Sequence, residues 1–170
     1  MPSLHEHLPF LSPSTRGIEQ ELIPKTGRGS NTAHPRSRSA TILFVDDEPL
    51  ILDAHRLWFE DMGYTVHAAN SGEEALDLLK TQPVDAVVVD YVMPTMNGGE
   101  CARRMRSSRY RIPIILFSGS VVSLPKSVLE IFDACVDKGL GSGVLAETLE
   151  YVLYPDESPA RDIVQERAAK

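Results

Sequence analysis

Five short apolar runs alternate with amphipathic segments through the middle of this sequence. The runs cover residues 41–45 (TILFV), 65–69 (TVHAA), 86–89 (AVVV), 112–117 (IPIILF) and 134–136 (ACV). Strands that alternate with helices form a parallel sheet with helices on both faces, because each parallel crossover needs a helix. The alternation therefore predicts an α/β fold, a doubly wound five-stranded parallel sheet of the (βα)5 type. We expect the flavodoxin-like strand order 2-1-3-4-5.

The segments between the apolar runs carry helix start and stop signals. In residues 48–63, apolar side chains recur at helical spacing and Gly63 is a stop signal. Ser71 and Glu74 have the spacing of a capping box at the start of the second helix. Residues 124–132 (LPKSVLEIF) are few and include a proline, so we expect a brief fourth helix. The regularly spaced apolar residues of the first helix are Leu50, Ala54, Leu57, Trp58 and Met62.

The ends of the chain differ in composition from its middle. Residues 1–39 are rich in Pro, Ser, Gly and Arg and hold five Lys and Arg against three Asp and Glu, whereas residues 40–154 hold nine against seventeen. We predict a flexible amino-terminal tail over 1–39, a compact domain over 40–154 and a carboxyl-terminal tail over 155–170. The acidic balance of the compact part disfavours nucleic acid as a partner.

The cysteine and histidine residues show no metal-type spacing. Cys101 and Cys135 are far apart in the chain, so we interpret both as reduced thiols in or near the core. His55 and His67 fall within a predicted helix and a predicted strand, and we interpret them as structural residues. No apolar stretch is long enough to span a membrane, and the amino end lacks the pattern of a secretory signal. We therefore expect a cytoplasmic protein without a membrane partner.

Polar residues follow four of the five predicted strands at the point where each strand ends. Asp46 and Asp47 follow the first strand, Asp90 the third, Ser118 the fourth and Lys138 the fifth. In a parallel sheet these ends share one edge, where ligands bind in folds of this class. With the first and third strands adjacent, the three carboxylates converge at that edge. Their convergence explains why a buried apolar run ends on an aspartate.

Converging carboxylates need a compensating positive charge. Two like charges about 4 Å apart repel by about 4 kcal/mol at an effective dielectric constant of about 20. A hard divalent ion held by carboxylates, a backbone carbonyl and water suits Mg2+, and Lys138 adds a compact charge. A metal beside a carboxylate and a lysine fits phosphoryl transfer, with Asp90 as nucleophile and Ser118 as a donor to the phosphoryl oxygens. Pro94 and Gly98 are expected to fix and turn the adjoining loop.

These residues, in this order, resemble the receiver domain of two-component response regulators. The stretches ILFVDDEP (42–49) and VVVDYVMPTMNG (87–98) are similar to the first acidic loop and the phosphoacceptor loop of that family, and the likeness runs from about Thr41 to Leu153. The resemblance implies that Asp90 accepts a phosphoryl group. The donor would be a sensor histidine kinase or a histidine phosphotransfer protein.

The resemblance also implies roles for the remaining residues of the set. It implies a switch hydroxyl for Ser118 and a phosphate contact for Lys138. It further implies a signalling protein, not an enzyme that turns over a separate substrate. It implies that one Mg2+ is bound by four groups: Asp46 (directly or through water), Asp47, Asp90 and the backbone carbonyl of Val92.

Two positions depart from the usual pattern of the family. Cys135 stands three residues before Lys138, where the family usually has an aromatic residue, so the usual aromatic switch is altered. Gly139 follows the lysine where proline is common, and we expect a more mobile loop before the fifth helix. A third departure is the short segment with Pro125 between Ser118 and the fifth strand, since the fourth helix belongs to the surface on which many receivers signal. All three departures concern the relay of the signal and not the phosphoryl chemistry.

Two functions are compatible with the sequence. The first is a stand-alone receiver that signals by protein contact or passes its phosphoryl group onward, since no effector domain is recognisable within the 170 residues. The alternative is an interaction module of the same fold that works without phosphorylation, for which Cys135 is the supporting feature. The first is favoured by the complete set Asp46, Asp47, Asp90, Ser118 and Lys138.

Overall fold

The computed structural model describes residues 40–108 and 111–155. Its five strands are β1 (Thr41–Val45), β2 (Thr65–Ala69), β3 (Ala86–Val89), β4 (Ile114–Ser118) and β5 (Ala134–Asp137). Its helices are α1 (Pro49–Asp61), α2 (Gly72–Thr81), α3 (Gly98–Ser107), α4 (Lys126–Leu129) and α5 (Gly141–Leu153), with 3-10 turns at Val121–Ser123 and Lys138–Leu140. The predicted amino-terminal tail, and all but the first residue of the carboxyl-terminal one, lie outside the described residues.

The strands form one parallel sheet in the order β2-β1-β3-β4-β5, which confirms the predicted flavodoxin-like arrangement. Val45 at the end of β1 is opposite Val89 at the end of β3, and Val89 is opposite Leu116 in β4. The three central strands therefore end at nearly the same level. The loops that follow them begin at one edge of the sheet, where ligands bind in this architecture.

Apolar clusters cover both faces of the sheet. Successive strand residues point to opposite faces, so Ile42 and Phe44 belong to the cluster under α1 and α5, and Leu43 and Val45 to the cluster under α2 and α3. All four residues of β3 are buried. This is the pattern of a central strand with helices on both sides.

The buried side of α1 differs from the set of apolar residues whose spacing predicted the helix. Leu52 and Phe59 are its buried residues, and the Phe59 ring packs on Phe44 with centroids 5.1 Å apart. Apolar residues occur on both sides of this helix, so their spacing does not decide which side faces the sheet. The large, fully buried ring of Phe59 fixes the rotation. The apolar residues left exposed are Leu50, Ala54, Leu57 and Trp58.

The predicted helix signals are present. Gly63 follows α1 with φ of 92°, and its N–H donates to the Glu60 carbonyl over 2.9 Å; this left-handed conformation favours glycine. At the start of α2, Ser71 Oγ accepts from the Glu74 N–H over 3.2 Å. The Glu74 carboxylate accepts in return from the Asn70 N–H over 2.8 Å. The reciprocal pair confirms the capping box.

β4 begins later than predicted, and the elements between β4 and β5 are short. β4 begins at Ile114 and not at 112, because Pro113 has no N–H to give to a sheet ladder, and it extends through Ser118. α4 has four residues and follows a 3-10 turn, in agreement with the brief fourth helix that the sequence predicts. The connection between β4 and β5 is therefore built from two single turns.

Both cysteines are free thiols, as predicted, with Cys101 buried and Cys135 half-buried. Burial raises the pKa of each thiol to about 11, so both remain protonated at neutral pH. Within the described residues, no helix has the length and apolar character that crossing a membrane requires.

Candidate functional site

Backbone hydrogen bonds that continue the sheet place Asp46 and Asp90 next to each other. The Asp90 N–H donates to the Val45 carbonyl over 2.9 Å, and the Asp46 N–H donates to the Ala69 carbonyl over 3.1 Å. Each aspartate is thus the first residue beyond a strand and is still held by the neighbouring strand. The convergence that the sequence predicted at this edge is present.

The two carboxylates are buried and accept backbone hydrogen bonds. Asp46 is 4% exposed and Asp90 8%. One oxygen of Asp46 accepts from the Glu48 N–H over 3.0 Å, and one oxygen of Asp90 accepts from the Tyr91 N–H over 2.6 Å. These hydrogen bonds fix the position of one oxygen of each carboxylate.

Lys138, in the turn after β5, contacts both carboxylates. Its Nζ lies 2.8 Å from Asp46 Oδ2 and 3.0 Å from Asp90 Oδ2. Burial acts to lower the pKa of Lys138, but its hydrogen bonds to both carboxylates outweigh that effect and raise the pKa above the usual 10.5. The lysine is therefore a permanent cation at neutral pH. One ammonium group compensates two buried negative charges only in part.

A third carboxylate completes an acidic cluster. Within the described part of the chain, oxygens of Asp46, Asp47 and Asp90 lie within 4.8 Å of one another. Carboxylate oxygens are the ligands that hard divalent cations prefer, and Mg2+ is commonly held by a few carboxylates together with water. With three carboxylates and one lysine, the cluster keeps an excess of negative charge. The donor set therefore fits a divalent cation such as Mg2+.

The loop after Asp90 is held in place by a close backbone approach at Gly98. A Cβ on Gly98 would lie 2.1 Å from the Asp90 carbonyl oxygen, and the Gly98 N–H donates to the Tyr91 carbonyl over 2.9 Å. The sequence had indicated that Gly98 turns the loop. The structure shows instead that glycine is needed at this position because the backbone of Asp90 comes so close. The left-handed residue of this loop is Thr95, with φ of 65°. Pro94 lies beside it, and its carbonyl accepts from the Met96 N–H.

The remaining two predicted site residues lie on the segments that adjoin Asp90. Ser118 is the last residue of β4 and is 1% exposed; extending the register of β3 and β4 puts it one position beyond the residue opposite Asp90. Val92 lies in the loop after Asp90, with its side chain 62% exposed. The structure thus brings Asp46, Asp47, Asp90 and Lys138 into direct proximity and places Ser118 at the adjoining strand end.

His55, which the sequence interpretation treated as purely structural, packs on the strands that lead to Asp46 and Ser118. Its ring stacks on Phe44 and meets Phe117 edge-on, with centroids 5.2 and 5.3 Å apart. The spacing of Leu52, His55 and Phe59 along α1 could have identified it, since it puts a polar ring on the buried side. That signal becomes usable only once Phe59 is known to face the sheet.

Comparison with known proteins gives one consistent family. The model of the family described as response regulator receiver domain matches residues 42–140. The chain is 35% identical over 80 residues to the response regulator GtcR of Aneurinibacillus migulanus, which covers 47% of this chain. It is 32% identical over 121 residues to the sensor histidine kinase GacS of Pseudomonas protegens, which covers 67%. The matched region spans 33% of the length of GtcR and 13% of GacS.

Solved structures give the same result. The crystal structure of the response regulator TrrA from Thermotoga maritima in complex with Mg2+-BeF aligns with a TM-score of 0.63 and 30% identity. The alignment covers 67% of this chain and 99% of that one. The chemotaxis response regulator CheY4 of Vibrio cholerae aligns with a TM-score of 0.61 and 28% identity, over 68% of this chain and 99% of that one.

Proposed function

The chain belongs to the response regulator receiver domain family, and from that premise we propose that Asp90 accepts a phosphoryl group from a phosphohistidine. The observation that carries the proposal is the direct contact of Lys138 Nζ with both buried carboxylates, 2.8 and 3.0 Å away. A buried carboxylate of which one oxygen is held by a backbone N–H, and the other by an ammonium group, has a fixed orientation, and a fixed orientation favours nucleophilic attack.

The transfer exchanges one bond to phosphorus for another. A carboxylate oxygen of Asp90 attacks the phosphorus atom, a P–O bond forms, and the P–N bond to the donor imidazole breaks. The imidazole leaves with the electron pair of that bond and takes up a proton. The product is an acyl phosphate on Asp90.

The acidic cluster is proposed to hold Mg2+ during this step. Bound Mg2+ supplies positive charge for the oxygens of the phosphoryl group. The TrrA structure, whose crystals contain Mg2+-BeF, is consistent with such a site in a relative. The proposed ligands are Asp46 (directly or through water), Asp47, Asp90 and the backbone carbonyl of Val92.

Lys138 and Ser118 are proposed to receive the phosphoryl group. The ammonium group of Lys138 already contacts Asp90 Oδ2, so a phosphoryl group on that side chain would enter its reach. Ser118 at the end of β4 would donate its hydroxyl to a phosphoryl oxygen. The two residues stand on β4 and on the turn after β5, so the new group would tie these neighbouring strand ends together.

The partner that supplies the phosphoryl group is proposed to be a sensor histidine kinase or a histidine phosphotransfer protein. The match to GacS, itself named a sensor histidine kinase, supports a place in such pathways. We further propose output through protein contact or onward phosphotransfer, without turnover of a separate substrate. A stand-alone organisation and a cytoplasmic location stay predictions.

A module that signals without phosphorylation is the second candidate. It is favoured by Cys135, a small half-buried thiol at the position where the family usually has an aromatic side chain, and by the four-residue α4 next to it. Both candidates share the fold and the pocket. They differ in whether Asp90 takes up a phosphoryl group.

Intact mass after incubation with acetyl phosphate distinguishes the two candidates. We expect one added phosphoryl group in the parent protein with Mg2+, and none without Mg2+ or in Asp90→Ala. Asp77→Asn is the matched control, because Asp77 lies on the exposed side of α2, where it pairs with Lys80 at the surface. No adduct in the parent, with acetyl phosphate or with a phosphorylated histidine kinase, would favour the second candidate.

A further inference from the structure

The first turn of α5, which follows the Lys138 turn, has little of the usual stabilisation of a helix start. Its N-cap residue Leu140 makes no side-chain hydrogen bond, and the turn contains no acidic residue. Gly141 and Gly143 occupy two of its first three positions, with open space where a Cβ would be. Gly141 has φ of 82°, a conformation that favours glycine, whereas glycine at Gly143 disfavours the helix by about 1 kcal/mol relative to alanine.

One side-chain hydrogen bond connects this turn to another helix. Ser142 Oγ lies 3.4 Å from His55 Nε2 on α1. The other ring nitrogen of His55, Nδ1, lies 3.0 Å from the Ile51 carbonyl oxygen. A carbonyl only accepts, so Nδ1 carries the proton and Nε2 is the acceptor for the Ser142 hydroxyl.

The His55 ring is held by the sheet and is not free to follow α5. It stacks on Phe44, which stands two residues before Asp46, and it meets the ring of Phe117 edge-on. Phe117 directly precedes Ser118. Phe44 belongs to β1, which is followed by Asp46, and Phe117 belongs to β4, which ends at Ser118. Ser142 is thus tied, through His55, to β1 and β4.

We propose that His55 is a positioning residue for Lys138: its hydrogen bond to Ser142 fixes the first turn of α5 and so the place of the Lys138 ammonium group. Lys138 stands four residues before Ser142, and the turn between them is held at its other end by the Asp137 carboxylate, which accepts from the Gly139 N–H over 2.8 Å. The hydrogen bond between His55 and Ser142 would restrain the segment after Lys138, where Gly139 replaces the proline that is common in the family. The consequence for phosphoryl transfer rests on the function proposed above.

Three variants separate the hydrogen bond from the packing of the ring. His55→Phe keeps an aromatic ring between Phe44 and Phe117 but removes the acceptor. Ser142→Ala removes the donor. His55→Gln places an amide oxygen where it can accept in place of Nε2. Thr148→Ala is the matched control on the same helix, because the Thr148 hydroxyl donates to the Val144 carbonyl of its own helix.

Amide hydrogen exchange in the full chain without a phosphodonor is the first readout. We expect the amides of residues 138–146 to exchange about two- to tenfold faster in His55→Phe and Ser142→Ala, with the β1 and β3 amides unchanged. The double variant should exchange no faster than either single variant. His55→Gln should exchange at a rate near that of the parent, and Thr148→Ala should leave the amides of 138–140 unchanged.

The rate of phosphorylation by acetyl phosphate with Mg2+ is the second readout, and it should fall by a similar factor in the same two variants. Unchanged exchange in both variants, or multiplying effects in the double variant, would overturn the proposal. Exchange in His55→Gln as fast as in His55→Phe would assign the effect to packing and overturn it as well. If the parent takes up no phosphoryl group, the proposed function fails, while the exchange data still decide the role of His55.

Discussion

Two helices begin beside the acidic pocket, and their first turns are built in opposite ways. α3, which follows the Asp90 loop, begins with Gly98 and Gly99, both buried. Asn97 caps it by accepting from the Glu100 N–H over 2.9 Å. Every position of this turn is set by contact or by a hydrogen bond.

α5, which follows the Lys138 turn, also has two glycines in its first turn, but nothing lies within 4 Å of a Cβ built on either one. No side chain caps it. Glycine thus serves close approach at Gly98 and a left-handed φ of 82° at Gly141. The proposed nucleophile thus stands beside a fixed turn and the lysine beside a weakly held one.

Gly98→Ala should give the largest effect, because it inserts a methyl group 2.1 Å from the Asp90 carbonyl oxygen. Backbone cannot move aside cheaply, so we expect the free energy of unfolding to fall by about 3 kcal/mol or more. Urea denaturation measures it. Gly99→Ala is the matched control, since its Cβ would meet mostly side-chain atoms, the nearest at 3.3 Å. Equal losses in the two variants would contradict the role given to Gly98.

Asn97→Ala should have a smaller destabilising effect. It removes the acceptor for the Glu100 N–H, and loss of such a cap costs about 1 kcal/mol. Thermal unfolding followed by circular dichroism is the measurement. Asn97→Ser, which keeps a capping oxygen, should recover most of the loss. A stability equal to that of the parent in Asn97→Ala would show that the start of α3 does not depend on its cap.

Gly143→Ala should act in the opposite direction. The added methyl group meets no neighbour within 4 Å, and alanine is preferred to glycine within a helix by about 0.5–1 kcal/mol. We therefore expect a gain of that size in the free energy of unfolding. A loss of stability would contradict the open space that surrounds Gly143 at the start of α5.

The smallest expected effect is a dependence of stability on pH that arises from His55. Burial lowers the pKa of His55 below its usual 6.5; the bond to Ile51 and the charge of Asp46 oppose the shift, and Lys138 adds to it. The folded state then binds the proton less readily than the unfolded chain. The free energy of unfolding is therefore intact above pH 6.5, falls as the pH decreases below that value, and levels off below the folded pKa.

Comparison with His55→Gln isolates this contribution, because glutamine does not titrate. The difference in free energy of unfolding between the parent and this variant should change between neutral pH and pH 5 in the stated direction. A difference that stays constant over that range would show that the pKa of His55 is not lowered by folding.

The sequence predicted those parts of the site that follow from strand ends and local signals. Asp46 and Asp90 come directly after apolar runs, and a parallel sheet brings such ends together wherever the strands are neighbours. The Ser71 cap and the Gly63 stop depend on a few adjacent residues, so their patterns are readable in the chain. These features need no knowledge of how helices pack on the sheet.

The features that the sequence left undetermined depend on packing between distant segments. The side of α1 that faces the sheet is decided by the fit of Phe59 against Phe44, since apolar residues occur on both sides of that helix. The close approach of Gly98 to the Asp90 carbonyl depends on where α3 meets the loop. The contact of Lys138 with Asp46, 92 residues away in the chain, depends on the long lysine side chain reaching from the end of the edge strand β5 to the end of β1.

Mapping the site of phosphorylation decides whether Asp90 is the residue that accepts the phosphoryl group. The full chain is incubated with acetyl phosphate and Mg2+, reduced with borohydride to convert an acyl phosphate into an alcohol, and mapped by peptide mass spectrometry. We expect position 90 alone to be converted to homoserine, and only when Mg2+ is present. Conversion at another carboxylate, or none at Asp90 in a protein that does take up a phosphoryl group, would contradict that expectation.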